Sequence, residues 1–228
     1  MHDERSSAAA HASLTLYSYW RSSAAYRVRI GLNLKGLDYQ LQPVHLVKDG
    51  GQQHADAYRQ LNPQQLLPTL LHDGQALTQS LAILEYIDET WSTPPLLPAE
   101  PHARARVRAL AQLVACDIHP LGNLRVLQYL ESRLQVAGDE RLGWSRHWIE
   151  AGFGAFESML AAQGPADDFC HGQQPGLADC CLLPQVYNAR RFGVSLDAFP
   201  RIRRIEAACL ALPAFDRARP ENQPDAQI

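Results

Sequence analysis

The chain has 228 residues, 46% of them hydrophobic, with 21 basic and 24 acidic side chains and a formal net charge of −3. That composition excludes a disordered protein, and the absence of any Lys/Arg cluster gives nucleic acid no footprint. The length suits one large domain or two small ones, and the basic set is lopsided, with 19 Arg against two Lys, Lys35 and Lys48.

Residues 1–13, MHDERSSAAAHAS, carry acidic residues and no apolar h-region, which predicts a short disordered leader rather than a signal peptide. From Leu14 the run LTLYSYW is a strand, and SSAAYRVRIGLNLKG follows as a helix opened by Ser22 or Ser23 and closed at Gly36. LDYQLQPVHL gives a second strand. After a polar segment, LLPTLLHDGQALTQS reads as two strands joined at Asp73-Gly74, a strong hairpin signal. LAILEYIDETW is an amphipathic helix, with Leu81, Leu84, Ile87 and Trp91 at helical spacing. The first ninety or so residues thus predict β-α-β-(α)-β-β-α, a mixed four-stranded sheet covered by helices.

The proline-rich STPPLLPAEP then halts both helix and strand, and is read as a linker over 93–101. Beyond it only helical periodicity is found, over 103–134, 144–162, 177–192 and 202–212, so the expectation is an all-helical domain over 102–228. Pro120 is expected to kink the first of these helices. Five cysteines without a C-x-x-C pair exclude dithiol exchange and a disulfide framework, and point to a reducing cytoplasm. No uncharged apolar run approaches the ~18–20 residues of a membrane span, so no membrane partner is expected.

Several positions carry candidate chemistry. Arg21-Ser22-Ser23 sits where a strand meets a helix N-terminus, whose N–H groups and hydroxyls favour an anion or thiolate, though a plain Ser N-cap looks the same. Leu67-Pro68 precedes a strand. On residues alone a trans edge proline is expected there, because only about 5–6% of X-Pro bonds are cis. Gln79-Ser80 is expected to cap the next helix. Gln112, Cys116, His119 and Asn123 share one helix face able to line a cleft, and Cys116 with His119 falls short of a metal site. Asp179 is expected to cap its helix. Arg190 and Arg191, being adjacent, cannot both enter one site.

In this order, the stretches YSYWRSSAAYRVRIGLNLKG, LNPQQLLPTL, QSLAILEYI, LLPAEPHARARVRAL, DIHPLGNLRVL and LADCCLLPQVYNARRF resemble the zeta class of glutathione S-transferases. That class includes maleylacetoacetate and maleylpyruvate isomerases. The resemblance spans Leu14 to about Gln223 and implies a thioredoxin-like glutathione-binding domain over 14–92 ahead of the helical substrate domain. It implies a cytoplasmic homodimeric enzyme of aromatic catabolism, such as tyrosine degradation. With glutathione as cofactor and no metal, this enzyme turns a maleyl keto acid into its fumaryl isomer. Ser22 and Ser23 would sit at the glutathione sulfur, and Gln53, Leu67 and a cis Pro68 at the cysteinyl-glycine part. Gln79 and Ser80 would take the γ-glutamyl end. His119, Asn123 and Arg125 would add contacts, with Arg21, Arg125 and Arg191 holding the substrate carboxylates. Two positions depart from the class: Ala24 stands where its S-S-C signature has Cys, and Gly176 where a capping Thr is expected. The alternatives within the fold are a transferase conjugating or dehalogenating small α-halo acids, and a non-catalytic interaction protein.

Overall fold

A computed structural model describes residues 14–164 and 167–227, so the expected leader lies outside the described residues. The chain opens with β1 (Leu14–Ser18), α1 (Ser23–Leu34), β2 (Gln40–Pro43) and a short α2 (Asp56–Leu61). It continues with β3 (Thr69–His72), β4 (Gln75–Thr78) and α3 (Ser80–Thr90). The four strands lie in the order β2-β1-β3-β4, with β1 parallel to β2 and the other pairs antiparallel. The β3–β4 turn is the Asp73-Gly74 step, whose φ values of 48° and 80° are the left-handed pair a two-residue hairpin demands. Alternation along β1 sends Leu14, Leu16 and Ser18 inward, and Leu16 lies opposite Leu70 of β3.

After the proline stretch come α4 (Pro101–Gln112), α5 (Leu124–Ser132), α6 (Gly138–Ala161), α7 (Leu177–Arg191), α8 (Pro200–Leu210) and α9 (Pro213–Ala218). The single long helix expected from 103 to 134 is therefore not continuous. Between α4 and α5 the backbone widens to a π-helix at Leu113–Ile118 and tightens to a 3-10 turn at His119–Gly122. Pro120 lacks the N–H an α-helix needs, and the change of pitch takes up the mismatch over ten residues rather than at one kink. Val107, Leu110, Val114 and Ile118 stay buried across the change, because the apolar stripe survives it.

One hydrophobic core runs through both parts. Leu16, Leu70, Ile83 and Leu84 from the sheet side join Leu110, Phe153, Phe156 and Val186 from the helices, each fully buried. Burial of each such side chain stabilises the fold by about 1.5–3 kcal/mol. Polar ties add direction. Lys35 Nζ donates to Asp88 Oδ1 at 2.5 Å and to the carbonyls of Trp91 and Pro94 at 2.6 and 2.5 Å, fixing the end of α3 and the start of the linker. Arg108 of α4 grips Glu85 of α3 bidentately at 3.1 and 2.7 Å.

Two arginines of α1 are buried, against the usual surface expectation for charge. Arg29 is solvent-free and donates to Ser18 Oγ, to the Trp20 carbonyl and to the Ala218 carbonyl, each at 3.0 Å. It binds the end of β1, the β1–α1 loop and α9 into one unit. The Trp20 N–H donates in turn to Asp225 Oδ2 at 3.0 Å, so the C-terminal segment closes over the same loop.

At the start of α7, Gly176 allows a close approach. A Cβ there would stand 2.6 Å from the Leu96 carbonyl oxygen, which accepts the Leu177 N–H at 2.9 Å. The departure from Thr at this position therefore has a steric reason. Asp179, 2% exposed, closes the helix start by accepting the N–H groups of Gly176 and Cys170, both at 2.9 Å. The capping role expected of it holds. Burial raises its pKa while those donors pull it back.

Candidate active site

A cleft of about 530 Å³ opens between the sheet domain's loops and the helices after the linker. Every expected site residue lines it: Arg21, Ser22, Ser23, Gln53, Leu67, Pro68, Gln79, Ser80, His119, Asn123, Arg125 and Arg191. Cys116 is also on its wall, exposed, and Gln112 is not. The change to π-helical pitch separates Gln112 from the face it was expected to share.

Ser22 is the N-cap of α1. Its Oγ accepts the Ala25 N–H at 3.2 Å, which leaves the hydroxyl proton free to donate into the cleft. Among the described residues no backbone acceptor takes the N–H of Ser23 or Ala24, so two main-chain donors and the positive end of a twelve-residue helix converge there. Ser23 Oγ accepts the Asn188 side-chain amide at 2.8 Å, which ties α1 to α7 across the cleft floor. This cluster favours a bound anion such as a thiolate, and Ala24 presents only a methyl group toward it.

The Leu67-Pro68 peptide bond is cis, against the residue-based expectation and in line with the resemblance. Leu67 makes no backbone hydrogen bond among the described residues, so its amide and carbonyl are open to an extended ligand. The loop behind it is braced by Tyr58, whose hydroxyl donates to the Leu66 carbonyl at 2.6 Å. Gln53 is buried, and its Nε2 donates to the Leu46 carbonyl at 3.4 Å while its Oε1 has no partner.

Gln79 is the N-cap residue of α3, as expected, but its side chain does not do the capping. Gln79 precedes the helix at φ 67°, a left-handed backbone few L-residues adopt, and makes no side-chain cap. Its Nε2 donates to Gln64 Oε1 at 2.7 Å instead. Ser80 is buried, and its Oγ accepts Arg27 Nη1 at 3.2 Å. The first N–H groups of α3 are left facing outward, uncapped, beside that hydroxyl.

From the helical side, Asn123 caps α5 by accepting the Arg125 N–H at 3.2 Å. Arg21 and Arg191 stand on the rim. Arg21 lies 4.6 Å over the Trp20 ring and reaches the Tyr19 hydroxyl at 3.4 Å, and Arg191 lies 4.9 Å over the Phe192 ring. Desolvation and then the nearby Arg21 lower the Arg191 pKa, so the two guanidinium groups repel each other and both gain from a dianion between them. Arg190 is excluded from the site by its bidentate pairing with Glu206 at 2.7 and 2.5 Å. Burial pushes His119 down to about 3, with Arg27 adding to the shift, so its ring is neutral and serves as a polar contact rather than a cation.

Sequence reasoning missed Arg27 and Asn188. Both fall inside the quoted stretches, but their roles depend on contacts with residues 53 and 165 positions away. Among the described residues no group of three His, Cys, Asp or Glu side chains comes together as a metal site.

The family described as glutathione S-transferase, N-terminal domain, matches residues 12–89. A relative from Vibrio cholerae serotype O1, a probable maleylacetoacetate isomerase, is 51% identical over 94% of this chain and 99% of its own length. A solved holo structure of maleyl pyruvate isomerase, a bacterial zeta-class enzyme, is 47% identical with a TM-score of 0.91, covering 93% of this chain and 100% of that one. The maleylacetoacetate isomerase of Anaeromyxobacter dehalogenans 2CP-1, solved with glutathione in its active site, is 45% identical with a TM-score of 0.84 over 94% and 98% of the two chains. The same enzyme has been solved with dicarboxyethyl glutathione and citrate in that site, at 42% identity and a TM-score of 0.80, covering 94% of each chain.

Proposed function

The chain belongs to the zeta class of glutathione S-transferases and is a glutathione-dependent maleylacetoacetate/maleylpyruvate isomerase, and on that premise we propose how its residues divide the work. The carrying observation is the single cleft that unites the α1 N-terminus, the open Leu67 backbone, the α3 N-terminus and two rim arginines. These donors fit glutathione. A hydroxyl proton and two free N–H groups meet its sulfur, an uncommitted strand-like amide and carbonyl meet its cysteinyl unit, and the buried Gln53 Oε1 awaits a donor.

Glutathione, when bound, supplies the thiol whose reversible addition to the cis double bond lets that bond rotate before it is restored as trans. Ser22 holds the sulfur in its thiolate form by donating its hydroxyl proton, and the α1 N-terminus adds its dipole. Leu67 holds the cysteinyl main chain beside Pro68, and Gln53 holds the glycyl side. Gln79 and Ser80 receive the γ-glutamyl group at the uncapped start of α3. Arg21 and Arg191 clamp the substrate carboxylates from the rim, with Arg125 entering from α5, and they stabilise the charge that gathers at the keto end. His119 and Asn123 close the helical wall as neutral polar groups.

In this reading residues 14–92 bind glutathione and 102–228 shape the substrate site. The cytoplasmic homodimer belongs to the same proposal. Five free cysteines, four of them buried, suit a reducing compartment. Assaying purified protein on maleylacetoacetate and on maleylpyruvate, with and without glutathione, tests the whole reading. Glutathione-dependent fumaryl product is expected, formed markedly more slowly after charge removal at Arg21. Turnover untouched by Arg21→Ala would refute the clamp, and light scattering would refute the dimer by returning a monomer mass.

A further inference from the structure

A second cavity, of about 690 Å³, lies between α7 and α8, and its size suits a small organic ligand. Its floor and walls are apolar and aromatic: Leu183, Ala207, Leu210 and the rings of Tyr26 and Tyr187, which meet edge to face at 6.4 Å. Four arginines, Arg190, Arg191, Arg203 and Arg219, and one carboxylate, Glu206, complete the lining. Arg190 holds Glu206 bidentately and cancels its charge. Arg203 and Arg219 are half-exposed and reach carboxylates at the surface, Asp197 at 3.3 Å, Asp216 at 3.7 Å and Glu221 at 3.6 Å. Surface pairs of this kind are worth little and give way to a better-placed anion.

An apolar, aromatic floor beneath a positive rim selects for an aryl group that bears a carboxylate. The ring packs on Tyr26 and Tyr187, and the carboxylate meets guanidinium forks that match its two oxygens. Glu206 on the wall disfavours a second negative charge, so the fitting class is a monocarboxylate. Of the ten residues lining this cavity, Arg191 alone also lines the reaction cleft. Arg191 is in no ion pair among the described residues, and groups on both sides act on its charge: Arg21 and Tyr19 from the cleft, Tyr187 from the second cavity. Burial and the like charge of Arg21 both work against that guanidinium, so an anion on either side holds it there.

We propose that the cavity between α7 and α8 is a second ligand site, for an aryl monocarboxylate, and that its occupant draws Arg191 out of the substrate clamp. The effect on turnover rests on the assignment of Arg191 to the substrate carboxylates. One guanidinium then serves two anions in turn, and an aromatic acid throttles the isomerisation without entering the reaction cleft.

The test pairs calorimetry with steady-state kinetics, using naphthalene-2-carboxylate as probe and the uncharged naphthalene-2-carboxamide as control, with glutathione saturating throughout. Ala207 is exposed on the cavity wall, so Ala207→Trp fills the cavity without entering the core or the reaction cleft. Wild type is expected to bind the carboxylate about tenfold or more tighter than the amide, and Ala207→Trp to bind neither while keeping its uninhibited kcat/KM. As the probe saturates wild type, kcat/KM falls to a plateau near the Arg191→Ala value, not to zero. Absence of probe binding at millimolar concentration overturns the proposal, as does binding that leaves kcat/KM unchanged. Inhibition that runs to zero and is equal in wild type and Ala207→Trp places the probe in the reaction cleft and overturns it too. If Ala207→Trp does not fold, Leu210→Glu replaces it: Leu210 is 39% exposed, and a carboxylate there repels the probe. Arg191→Ala that turns over at the wild-type rate overturns the clamp assignment and with it the proposed effect on turnover, which separates that failure from failure of the cavity to bind.

Discussion

Replacing Ser22 by Ala removes two interactions that the structure separates clearly. One is the cap, Ala25 N–H to Ser22 Oγ at 3.2 Å, and the other is the hydroxyl proton left over for the sulfur of glutathione. Losing a Ser N-cap costs about 1 kcal/mol, and for a protein of this length each kcal/mol lowers Tm by roughly 2–4 °C. A hydrogen bond to a charged group is worth about 1.5–3 kcal/mol, and 1.36 kcal/mol equals one pKa unit, so the bound thiol should titrate about one to two units higher in the variant. The thiolate's ultraviolet absorbance, followed against pH with glutathione saturating, reads that shift directly. Ser22→Thr keeps the hydroxyl and should restore both the titration and the stability. Ser23 Oγ accepts from Asn188 and is buried, whereas the Ser22 hydroxyl stands at the cap itself, so Ser23→Ala should raise the titration less than Ser22→Ala. The reasoning fails if Ser22→Ala leaves the bound thiol's titration unmoved while Ser23→Ala raises it.

Further expectations follow from other parts of the site and frame. Arg21→Ala and Arg191→Ala should each lower kcat/KM for the dianionic substrates by about tenfold to a hundredfold, with much smaller losses on an uncharged thiol acceptor. Equal losses on both kinds of substrate in steady-state assays would count against the clamp. His119 has a folded pKa of about 3, below its ordinary 6.5, so the unfolded chain takes up this proton first. Its contribution to stability is complete above pH 6.5 and is lost as pH falls from 6.5 toward 3, at up to about 1.4 kcal/mol per pH unit. Denaturant melts should therefore show a shallower acid decline in His119→Gln than in wild type, and parallel curves would refute the assignment. Asp179→Ala strands the buried Cys170 N–H, at about 1–3 kcal/mol, and frees the half-buried Gly176 N–H at a smaller cost, and should lower Tm by roughly 4–15 °C. Scanning calorimetry that finds less than a few degrees would show those donors repartnered.

The frame of the molecule was legible because its signals are local. The Asp73-Gly74 turn, the alternation in β1, the Ser at the head of α1 and the proline stretch before α4 each act within a few residues. Cys116, His119 and Asn123 reached the cleft as their spacing foretold, whereas Gln112 did not, because an apolar stripe looks the same whether the turns carrying it are α or π. Hydrophobic periodicity is also silent on the two arginines of YRVRI, since it places charge outside by default and both are buried. The roles of Arg27, Arg29 and Asn188 arise from acceptors far along the chain, on Ser80, Ala218 and Ser23. Similarly, the left-handed Gln79 and the cis Leu67-Pro68 step are set by tertiary surroundings against local preference. What the residues alone left even, the family resemblance decided.

The knot of hydrogen bonds at Arg29 and Asp225 bears on how this enzyme can be handled in the laboratory. The loop that presents Ser22 hangs from α9 and from the segment after it, through the Ala218 carbonyl and the Asp225 carboxylate. A fusion partner or surface linkage joined close behind Asp225 would tug on the very loop that cradles the thiol. An attachment point on the outward side of α6, which among the described residues shares no hydrogen bond with that loop, would leave the catalytic geometry at rest.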